Sequence, residues 1–194
     1  MHSVCVFLGS NPGTLPAYTQ AARRLGAVLA ARGLTLVYGG SSVGLMGELA
    51  DAVLGAGGRA VGVIPQRLVD HEIAHTGLTE SHVVRTMHER KARMAELSDA
   101  FVALPGGLGT LDEFFEVLTW NQLGLHAKPC GLLDVGGFYE LLARFLDTAT
   151  AHGFIPGYHR DMILRDDTPE GLLAQFETYA PPPAKKWITR RMQP

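Results

Sequence analysis

The sequence predicts an α/β fold, a Rossmann-like doubly wound parallel sheet with helices on both faces. Short apolar runs of strand length alternate along the chain with longer segments whose apolar residues recur at helical spacing. Alternation of this kind is typical of a parallel sheet with right-handed crossovers. Glycine-rich turns follow three of the apolar runs, where strands would pass into helices. We therefore expect one domain over residues 1–180 and a C-terminal tail over 181–194.

The composition restricts the class of function. A chain of 194 residues suits one domain, which would bury about 70% of its unfolded surface. The net charge of -2 argues against a general nucleic-acid or membrane-surface binder. The absence of an 18-residue apolar run or a charged-then-apolar leader predicts a soluble, cytoplasmic protein. Cys5 and Cys130 lie in strand-like runs and are expected to be buried free thiols.

The first half of the chain predicts three strands and two helices. The strands are short apolar runs, over residues 4–8, 34–38 and 60–64. The first helix, over 16–32, opens with Pro16 and stops at Gly33, since proline favours the first helical position and glycine the residue after the last. The second helix follows the glycine-rich turn 39–47 and ends near Leu54.

The second half predicts four strands and four helices after an irregular segment over 66–79. The strands cover residues 82–85, 100–104, 130–133 and, as an edge strand, 162–164. The helices cover 87–97, 114–120, 138–148 and a last segment from 169. Thr86 and Glu89 form a capping box at the start of the first of these helices. Thr168 caps the last one, with Pro169 in its first turn. No repeat or domain boundary interrupts this order.

Residues 104–113 are predicted to run from a buried strand through a glycine turn into a helix. The glycines let backbone N–H groups approach an anion without interference from a Cβ atom. With the helix N-terminus, these groups make a phosphate cradle. The stretch is neither a P-loop nor a dinucleotide fingerprint, because both patterns are absent. Thr110 and Glu113 also fit a capping box, which would need no ligand.

Two further glycine turns are predicted to lie beside this one. In a doubly wound sheet every strand-to-helix loop opens at the same edge, and ligands bind there near the point where the strand order reverses. The three turns contain Gly9-Ser10, Gly39-Gly40 and Gly106-Gly107. We therefore expect all three to lie along one crevice.

Arg90 and Lys91 are predicted to occupy the first turns of the helix that Thr86 opens. Cations there oppose the helix macrodipole by about 0.3–1 kcal/mol each, and an anionic ligand would reverse that sign. The alternative is that both side chains simply reach into water.

Glu113 is the candidate carboxylate for catalysis. Cleavage of an N-glycosidic bond passes through an oxocarbenium-like state, which a carboxylate stabilises while it orients the attacking water. A phosphate on the glycine turn would place the sugar nearby.

Residues 71–75, His-Glu-Ile-Ala-His, match the zinc-binding pattern H-E-x-x-H in an unfavourable context. Pro65 and Gly77 leave little room for the long helix that such a site needs, and no glycine stands three residues after His75. The other histidines do not form a further set of metal ligands.

Two cofactors are also not expected. Pyridoxal chemistry would need an imine-forming lysine, and only Lys91 of the four lysines stands at a suitable position. A nicotinamide site would want an acidic residue just beyond the second strand, where none occurs. We expect neither metal nor cofactor.

Two motifs resemble the paired signature of the LONELY GUY (LOG) family, the cytokinin riboside 5′-monophosphate phosphoribohydrolases. They are Met87-His88-Glu89-Arg90-Lys91 and Pro105-Gly106-Gly107-Leu108-Gly109-Thr110-Leu111-Asp112-Glu113. The resemblance extends over about residues 4–146, with Tyr38-Gly39-Gly40, Gly44-Leu45-Met46-Gly47 and Thr119-Trp120. It implies a Rossmann-like homodimer that cleaves the base from an N6-modified AMP and releases ribose 5-phosphate without metal or cofactor. Some relatives carry a "lysine decarboxylase" label, which the lysine count gives no reason to accept.

The resemblance also implies site residues. Arg90 and Glu113 would be the catalytic pair. The residues that would contact the nucleotide, besides Arg90, are Gly9, Ser10, Gly39, Gly40, Glu72, Met87, Lys91, Gly106, Gly107, Leu108, Gly109, Thr110, Leu111, Asp112 and Thr119. The dimer would set the base pocket, with help from Met87 and the region around Trp120.

The chain departs from the family pattern at Leu8, where a cysteine is common, at Ser41, where a third glycine is common, and at Thr86, where an aspartate often stands. These departures bear on base preference more than on reaction type, and isopentenyladenine and plain adenine both stay open. A non-catalytic nucleotide or cofactor carrier is the alternative function, and a metalloprotease is third. Retention of both Arg90 and Glu113 favours the enzyme, because a carrier needs the cradle but not the carboxylate.

Overall fold

Seven parallel strands form one sheet in the computed structural model, which describes residues 1–71 and 73–181. The strands are β1 (Ser3–Phe7), β2 (Thr35–Tyr38), β3 (Ala60–Pro65), β4 (Glu80–Val84), β5 (Ala100–Ala103), β6 (Cys130–Leu133) and β7 (Ile163–Asp166). Their order across the sheet is β4-β3-β2-β1-β5-β6-β7, and every neighbouring pair is parallel. The predicted doubly wound sheet is confirmed, and its strand order reverses between β1 and β5.

Helices cover both faces of this sheet. They are α1 (Pro16–Ala31), α2 (Gly44–Gly55), α3 (Gln66–Val69), α4 (Met87–Glu96), α5 (Leu108–Gln122), α6 (Glu140–Ala151), α7 (Gly157–Arg160) and α8 (Pro169–Glu177). Apolar residues of α1, α2 and α8 pack with Val4 and Val6 of β1 on one face. Residues of α4, α5 and α6 pack with Cys5 and Phe7 on the other, as the two-residue side-chain period of a strand requires. Cys5 and Cys130 are buried free thiols, as expected.

The predicted element boundaries hold to within three residues, except that α5 begins at Leu108, six residues before the predicted helix over 114–120. The segment 66–79 contains the short helix α3, β4 begins two residues before the predicted strand, and α7 lies in a connection for which no helix was expected. Thr86 and Thr168 both cap their helices, through hydroxyl oxygens that accept from the N–H groups of Glu89 and Gly171.

Two expectations concern the ends and the surroundings of the chain. Most of the predicted tail, residues 182–194, lies outside the described residues, so the division at 180 stays a prediction. None of the helices in the described part of the chain is long and apolar enough to cross a membrane.

Candidate active site

A cavity of about 480 Å³ opens at the edge of the sheet where β1 and β5 end. This is the point at which the strand order reverses, the expected position of a ligand in a doubly wound sheet. The cavity is lined by the turns after both strands, by the first turns of four helices and by one aromatic residue before α6. Its residues are Leu8, Gly9, Ser10, Asn11, Pro12, Gly13, Tyr18, Leu45, Met46, Met87, Arg90, Pro105, Gly106, Gly107, Leu108, Gly109, Thr110, Asp112, Glu113 and Phe138.

The predicted glycine turns meet at this edge. The N–H of Gly9 donates to the carbonyl of Pro105 at 3.2 Å, and its own carbonyl accepts from the N–H of Leu45 at 3.2 Å. A Cβ atom on Gly106 would collide with the side chain of Thr110 and lie 2.9 Å from the nitrogen of Gly9. The turn after β1 can therefore come this close to Gly106 because residue 106 has no side chain.

The N-terminus of α5 points its free N–H groups into this region. Gly107 is the N-cap in an extended conformation, with no side-chain cap, so the N–H groups of Leu108, Gly109 and Thr110 have no acceptor within the helix. The alternative capping box is wrong. Thr110 is the third helical residue, and Glu113 turns to a cation on α4 instead of bonding back to the helix start. Free N–H groups at a helix N-terminus suit an anion.

Arg90 and Glu113 form a buried pair on the cavity wall. Nη1 of Arg90 lies 3.4 Å from Oε1 of Glu113, and the side chains are only 9% and 13% exposed. Nε of Arg90 donates to the carbonyl of Val63 at 3.0 Å, and Nη2 donates to the carbonyl of Gly39 at 2.9 Å. The alternative in which Arg90 reaches into water is therefore wrong, because main-chain carbonyls at the ends of β2 and β3 hold its guanidinium inside.

The surroundings of Glu113 tune its acidity. Burial raises the pKa of Glu113 above its ordinary value, and the charge of Arg90 opposes that rise only in part. Asp112 and Glu116 add to the rise, whereas Lys91 lowers it. A carboxylate of this kind is better able to accept a proton than an exposed glutamate, which is what a general base requires.

Lys91 faces a different neighbour from Arg90. Its Nζ lies 3.1 Å from Oδ2 of Asp112 and 3.0 Å from Oε2 of Glu116, and the residue does not line the cavity. Burial lowers the pKa of Lys91, but the hydrogen bonds to Glu116 and Asp112 outweigh that effect and raise it above its ordinary value. Lys91 thus ties α4 to α5 as a cation, and its contact with a phosphate stays a prediction.

Four other predicted contact residues do not line the cavity. Gly39 lies beneath Arg90, and the carbonyl of Gly40 accepts from the N–H of His75 at 2.9 Å. Leu111 packs against the core, and the hydroxyl of Thr119 donates to a carbonyl of its own helix. Glu72 lies outside the described residues.

The described residues of the H-E-x-x-H pattern, His71 and residues 73–75, are not helical. The helix α3 ends at Val69, and the N–H of Ser42 donates to the carbonyl of Ile73, so this segment pairs with the loop after β2. His75 is occupied on both ring nitrogens. Its Nε2 lies 3.0 Å from Oδ1 of Asp51, and its Nδ1 accepts from the N–H of Gly77. Within residues 1–71 and 73–181, no group of three or more His, Cys, Asp or Glu side chains could hold a metal ion.

The aromatic side of the cavity was not predicted. The rings of Tyr18 and Phe138 meet edge to face at 5.8 Å, and Phe138 packs in the same manner on Tyr139 at 5.0 Å. The hydroxyl of Tyr139 donates to the carbonyl of Leu104, directly before the glycine turn. No sequence pattern marks these rings. The other lining residues that were not predicted lie in or beside the glycine turns, and that position could have identified them. They are Leu8, Asn11, Pro12, Gly13, Leu45, Met46 and Pro105.

Known proteins resemble this chain over most of its length. A family model described as "Possible lysine decarboxylase" matches residues 46–176. A probable cytokinin riboside 5′-monophosphate phosphoribohydrolase of Oryza sativa subsp. japonica is 52% identical over 178 residues, 92% of this chain and 78% of that protein. A cytokinin riboside 5′-monophosphate phosphoribohydrolase of Rhodococcoides fascians is 52% identical over 177 residues, 91% and 89% of the two chains. A cytokinin riboside 5′-monophosphate phosphoribohydrolase of Arabidopsis thaliana is 47% identical over 178 residues, which are 92% of this chain and 83% of that protein.

Solved structures share the fold. The molybdenum cofactor binding protein of Rippkaea orientalis superposes with a TM-score of 0.69 at 24% identity, covering 91% of this chain and 96% of that one. The molybdenum cofactor carrier protein of Chlamydomonas reinhardtii gives a TM-score of 0.70 at 22% identity, with the same coverage. At these identities the likeness concerns the fold alone.

Proposed function

This chain belongs to the LONELY GUY (LOG) family of cytokinin riboside 5′-monophosphate phosphoribohydrolases, and from that membership we propose that it hydrolyses the N-glycosidic bond of an N6-modified AMP. The products would be the free base and ribose 5-phosphate. The observation that carries the proposal is the buried Arg90–Glu113 pair in a cavity that also contains the N-terminus of α5. A site of this kind offers an anion cradle and a carboxylate side by side.

The phosphate would bind at the start of α5. The free N–H groups of Leu108, Gly109 and Thr110 and the hydroxyls of Ser10 and Thr110 are the donors that the cavity offers there. Since Glu113 lies about one helical turn further along α5, a ribose attached to that phosphate would bring its anomeric carbon towards the carboxylate.

Glu113 would then act on the anomeric carbon. As the bond from C1′ to the base breaks, its electron pair leaves with the base and positive charge develops on the sugar. The carboxylate stabilises that charge and accepts a proton from the water that attacks C1′. The departing base takes up one proton from solvent and Glu113 returns its proton to solvent, so that the water ends as the hydroxyl on C1′ and the proton on the base.

Arg90 would serve this step in two ways. Its guanidinium carries five N–H bonds, of which three donate to Val63, Gly39 and Glu113, so that two remain without an acceptor among the described residues. The bond to Glu113 orients the carboxylate, and the remaining N–H groups could contact the phosphate or the departing base. Arg90 would therefore both position the carboxylate of Glu113 and touch the substrate.

Two other functions, the alternative carrier and the decarboxylase that the family model's description suggests, have weaker support. A carrier would need the cradle but not the carboxylate, and the carrier proteins of similar structure are under 25% identical. A decarboxylase that forms an imine would need an uncharged lysine. Lys91 is paired with two carboxylates, and Nζ of Lys128 donates to the carbonyl of Ala95. The remaining lysines lie outside the described residues.

Base release is the direct test of the proposed function. We expect the purified protein to convert N6-isopentenyl-AMP to free base and ribose 5-phosphate, with AMP as the comparison substrate that measures base preference. Turnover should persist after exhaustive chelation, because the proposed steps use only a carboxylate, a guanidinium and water. Binding of the nucleotide without base release would instead identify a carrier, and loss of turnover on chelation would contradict the metal-free reaction.

We also propose that the protein is a homodimer, with the second copy packed on α6. Leu141 and Phe145 lie four residues apart on this helix and are 76% and 66% exposed, and Phe154 beyond its end is 82% exposed. Apolar side chains of this size, grouped on one helix face, commonly mark a protein–protein interface. The second copy is the occupant that the family resemblance implies.

The two buried free thiols are compatible with the reducing cytoplasm, which we propose as the location of the protein.

The solution mass tests this interface. Light scattering should give a dimer for the native chain and a monomer for Phe145→Asp, because a charge at the centre of the contact would have to be desolvated. Gln20→Asp, at an exposed position of α1, is the matched control for the added charge. A native monomer, or a dimer that Phe145→Asp leaves intact, would rule out this surface.

A further inference from the structure

Gly39 lies directly beneath the guanidinium of Arg90, at the point where β2 ends. A Cβ atom on Gly39 would overlap Nη2 of Arg90 and lie 2.9 Å from its Cζ and 3.3 Å from Sδ of Met46. The backbone of Gly39 is not in the left-handed region, so other residues could adopt its conformation. It is therefore the guanidinium, and not the backbone angle, that excludes a side chain here.

The guanidinium is held at two points before it reaches Glu113. Nε donates to the carbonyl of Val63 and Nη2 to the carbonyl of Gly39, at 3.0 and 2.9 Å. Because the group is planar, these two bonds set the direction of Nη1, which meets Glu113 at 3.4 Å. A Cβ atom on Gly39 would push the plane away, and the contact with Glu113 is already too long to tolerate a further displacement.

We propose that Gly39 is a positioning residue, whose missing side chain and whose carbonyl together fix Arg90 in the orientation that reaches Glu113. This inference rests on the proposed function, and it replaces the expected direct contact between Gly39 and the nucleotide. Gly39 does not line the cavity, so its influence on the reaction passes through Arg90. A glycine is needed at position 39 to leave room for the guanidinium of Arg90, not to leave room for the substrate.

Displacement of Arg90 should change the titration of Glu113. The charged and titratable groups that face Glu113 are Arg90 and Lys91 from α4, Asp112 and Glu116 from α5, and the buried Cys5 thiol of β1. Burial raises the pKa of Glu113, and Arg90 is the largest influence that opposes this rise. With Arg90 displaced, the pKa of Glu113 should rise further. The ionised carboxylate is the active form. When the pH is lowered, a protein with Arg90 displaced should therefore lose activity at a higher pH than the native protein does.

The first experiment measures the kinetics of Gly39→Ala. We expect kcat for N6-isopentenyl-AMP to fall about 100-fold, the effect of a misplacement of about 1 Å in a catalytic group. The acid limb of the kcat profile should move to higher pH. The matched control is Gly131→Ala in β6, whose Cβ would lie 2.7 Å from Leu172 and 2.8 Å from Phe176, none of which lines the cavity. That variant should lose thermal stability without a change in the acid limb.

A double-mutant cycle on stability tests the same contact without any activity. Gly39→Ala should lower Tm by several degrees in the native chain but by much less in Arg90→Ala, where only Sδ of the flexible Met46 side chain remains close to the Cβ atom. Gly131→Ala should lower Tm equally in both. If Gly39→Ala alone fails to fold, the double variant should fold. Equal losses of Tm in both backgrounds, or a fall in kcat with an unmoved acid limb, would overturn the proposal. Absence of base release by the native protein would instead overturn the proposed function.

Discussion

Glu113→Gln is expected to lower kcat for base release by about 1000-fold or more while the protein stays folded. The amide has the shape of the carboxylate, but it carries no charge to offset the positive charge that develops at C1′ and cannot take a proton from water. Loss of a single stabilising group aimed at the transition state typically costs about 100- to 1000-fold, and here the same residue also serves as base. The amide oxygen can still accept from Arg90, which keeps that side chain in place.

The measurement is kcat and KM for N6-isopentenyl-AMP, with Tm as the check on folding. Glu116→Gln is the matched control, because it removes a carboxylate one turn further along α5 that faces Lys91 and does not line the cavity. We expect that control to keep most of the native kcat. The native acid limb should lie above the ordinary pKa of a glutamate, because burial raises the pKa of Glu113. Native turnover by Glu113→Gln would remove Glu113 from the mechanism.

The sequence was sufficient for the fold because its signals are local and repeated. Each strand is a short apolar run followed by a turn residue, and parallel topology places every such turn at one edge. That the turns containing Gly9, Leu45 and Pro105 lie at one edge follows from that rule, whereas their hydrogen bonds to one another depend on the strand order, which the structure shows. The start of α5 was less predictable, since Thr110 and Glu113 satisfy the capping-box pattern. Only the folded chain shows that α5 already begins at Leu108, with Gly107 as its N-cap, so that Thr110 lies inside the helix.

The partners of individual side chains were beyond the sequence. Arg90 and Lys91 are adjacent, and both had been expected to face the ligand or the solvent. On a helix consecutive residues differ in direction by about 100°, so Arg90 points under the ends of β2 and β3 whereas Lys91 points across to α5. Likewise Tyr18 and Phe138 come from segments that are 120 residues apart in number, and only the packing of α1 against the segment before α6 brings their rings together.

Selectivity for the nucleotide is the second large effect that we expect. The native protein should cleave N6-isopentenyl-AMP with a kcat/KM about 1000-fold above that for the nucleoside N6-isopentenyladenosine. A hydrogen bond to a charged group contributes about 1.5–3 kcal/mol, a factor of about 10 to 100, and the start of α5 offers several such donors to a phosphate. Arg90 and Lys91 are both already paired with carboxylates, so neutral donors should carry most of this preference.

Lys91→Ala separates the two roles that this cation could have. If Lys91 contacts the phosphate, the variant should lose about 10- to 100-fold in kcat/KM for the nucleotide and nothing for the nucleoside. If Lys91 instead holds α5 through Asp112 and Glu116, both substrates should lose equally and their ratio should stay constant. The geometry favours the constant ratio, because Lys91 does not line the cavity. Lys128→Ala, which removes a lysine remote from the site, is the control for charge. Equal native rates on nucleoside and nucleotide would remove the phosphate cradle from the proposed function, whichever way Lys91→Ala behaves.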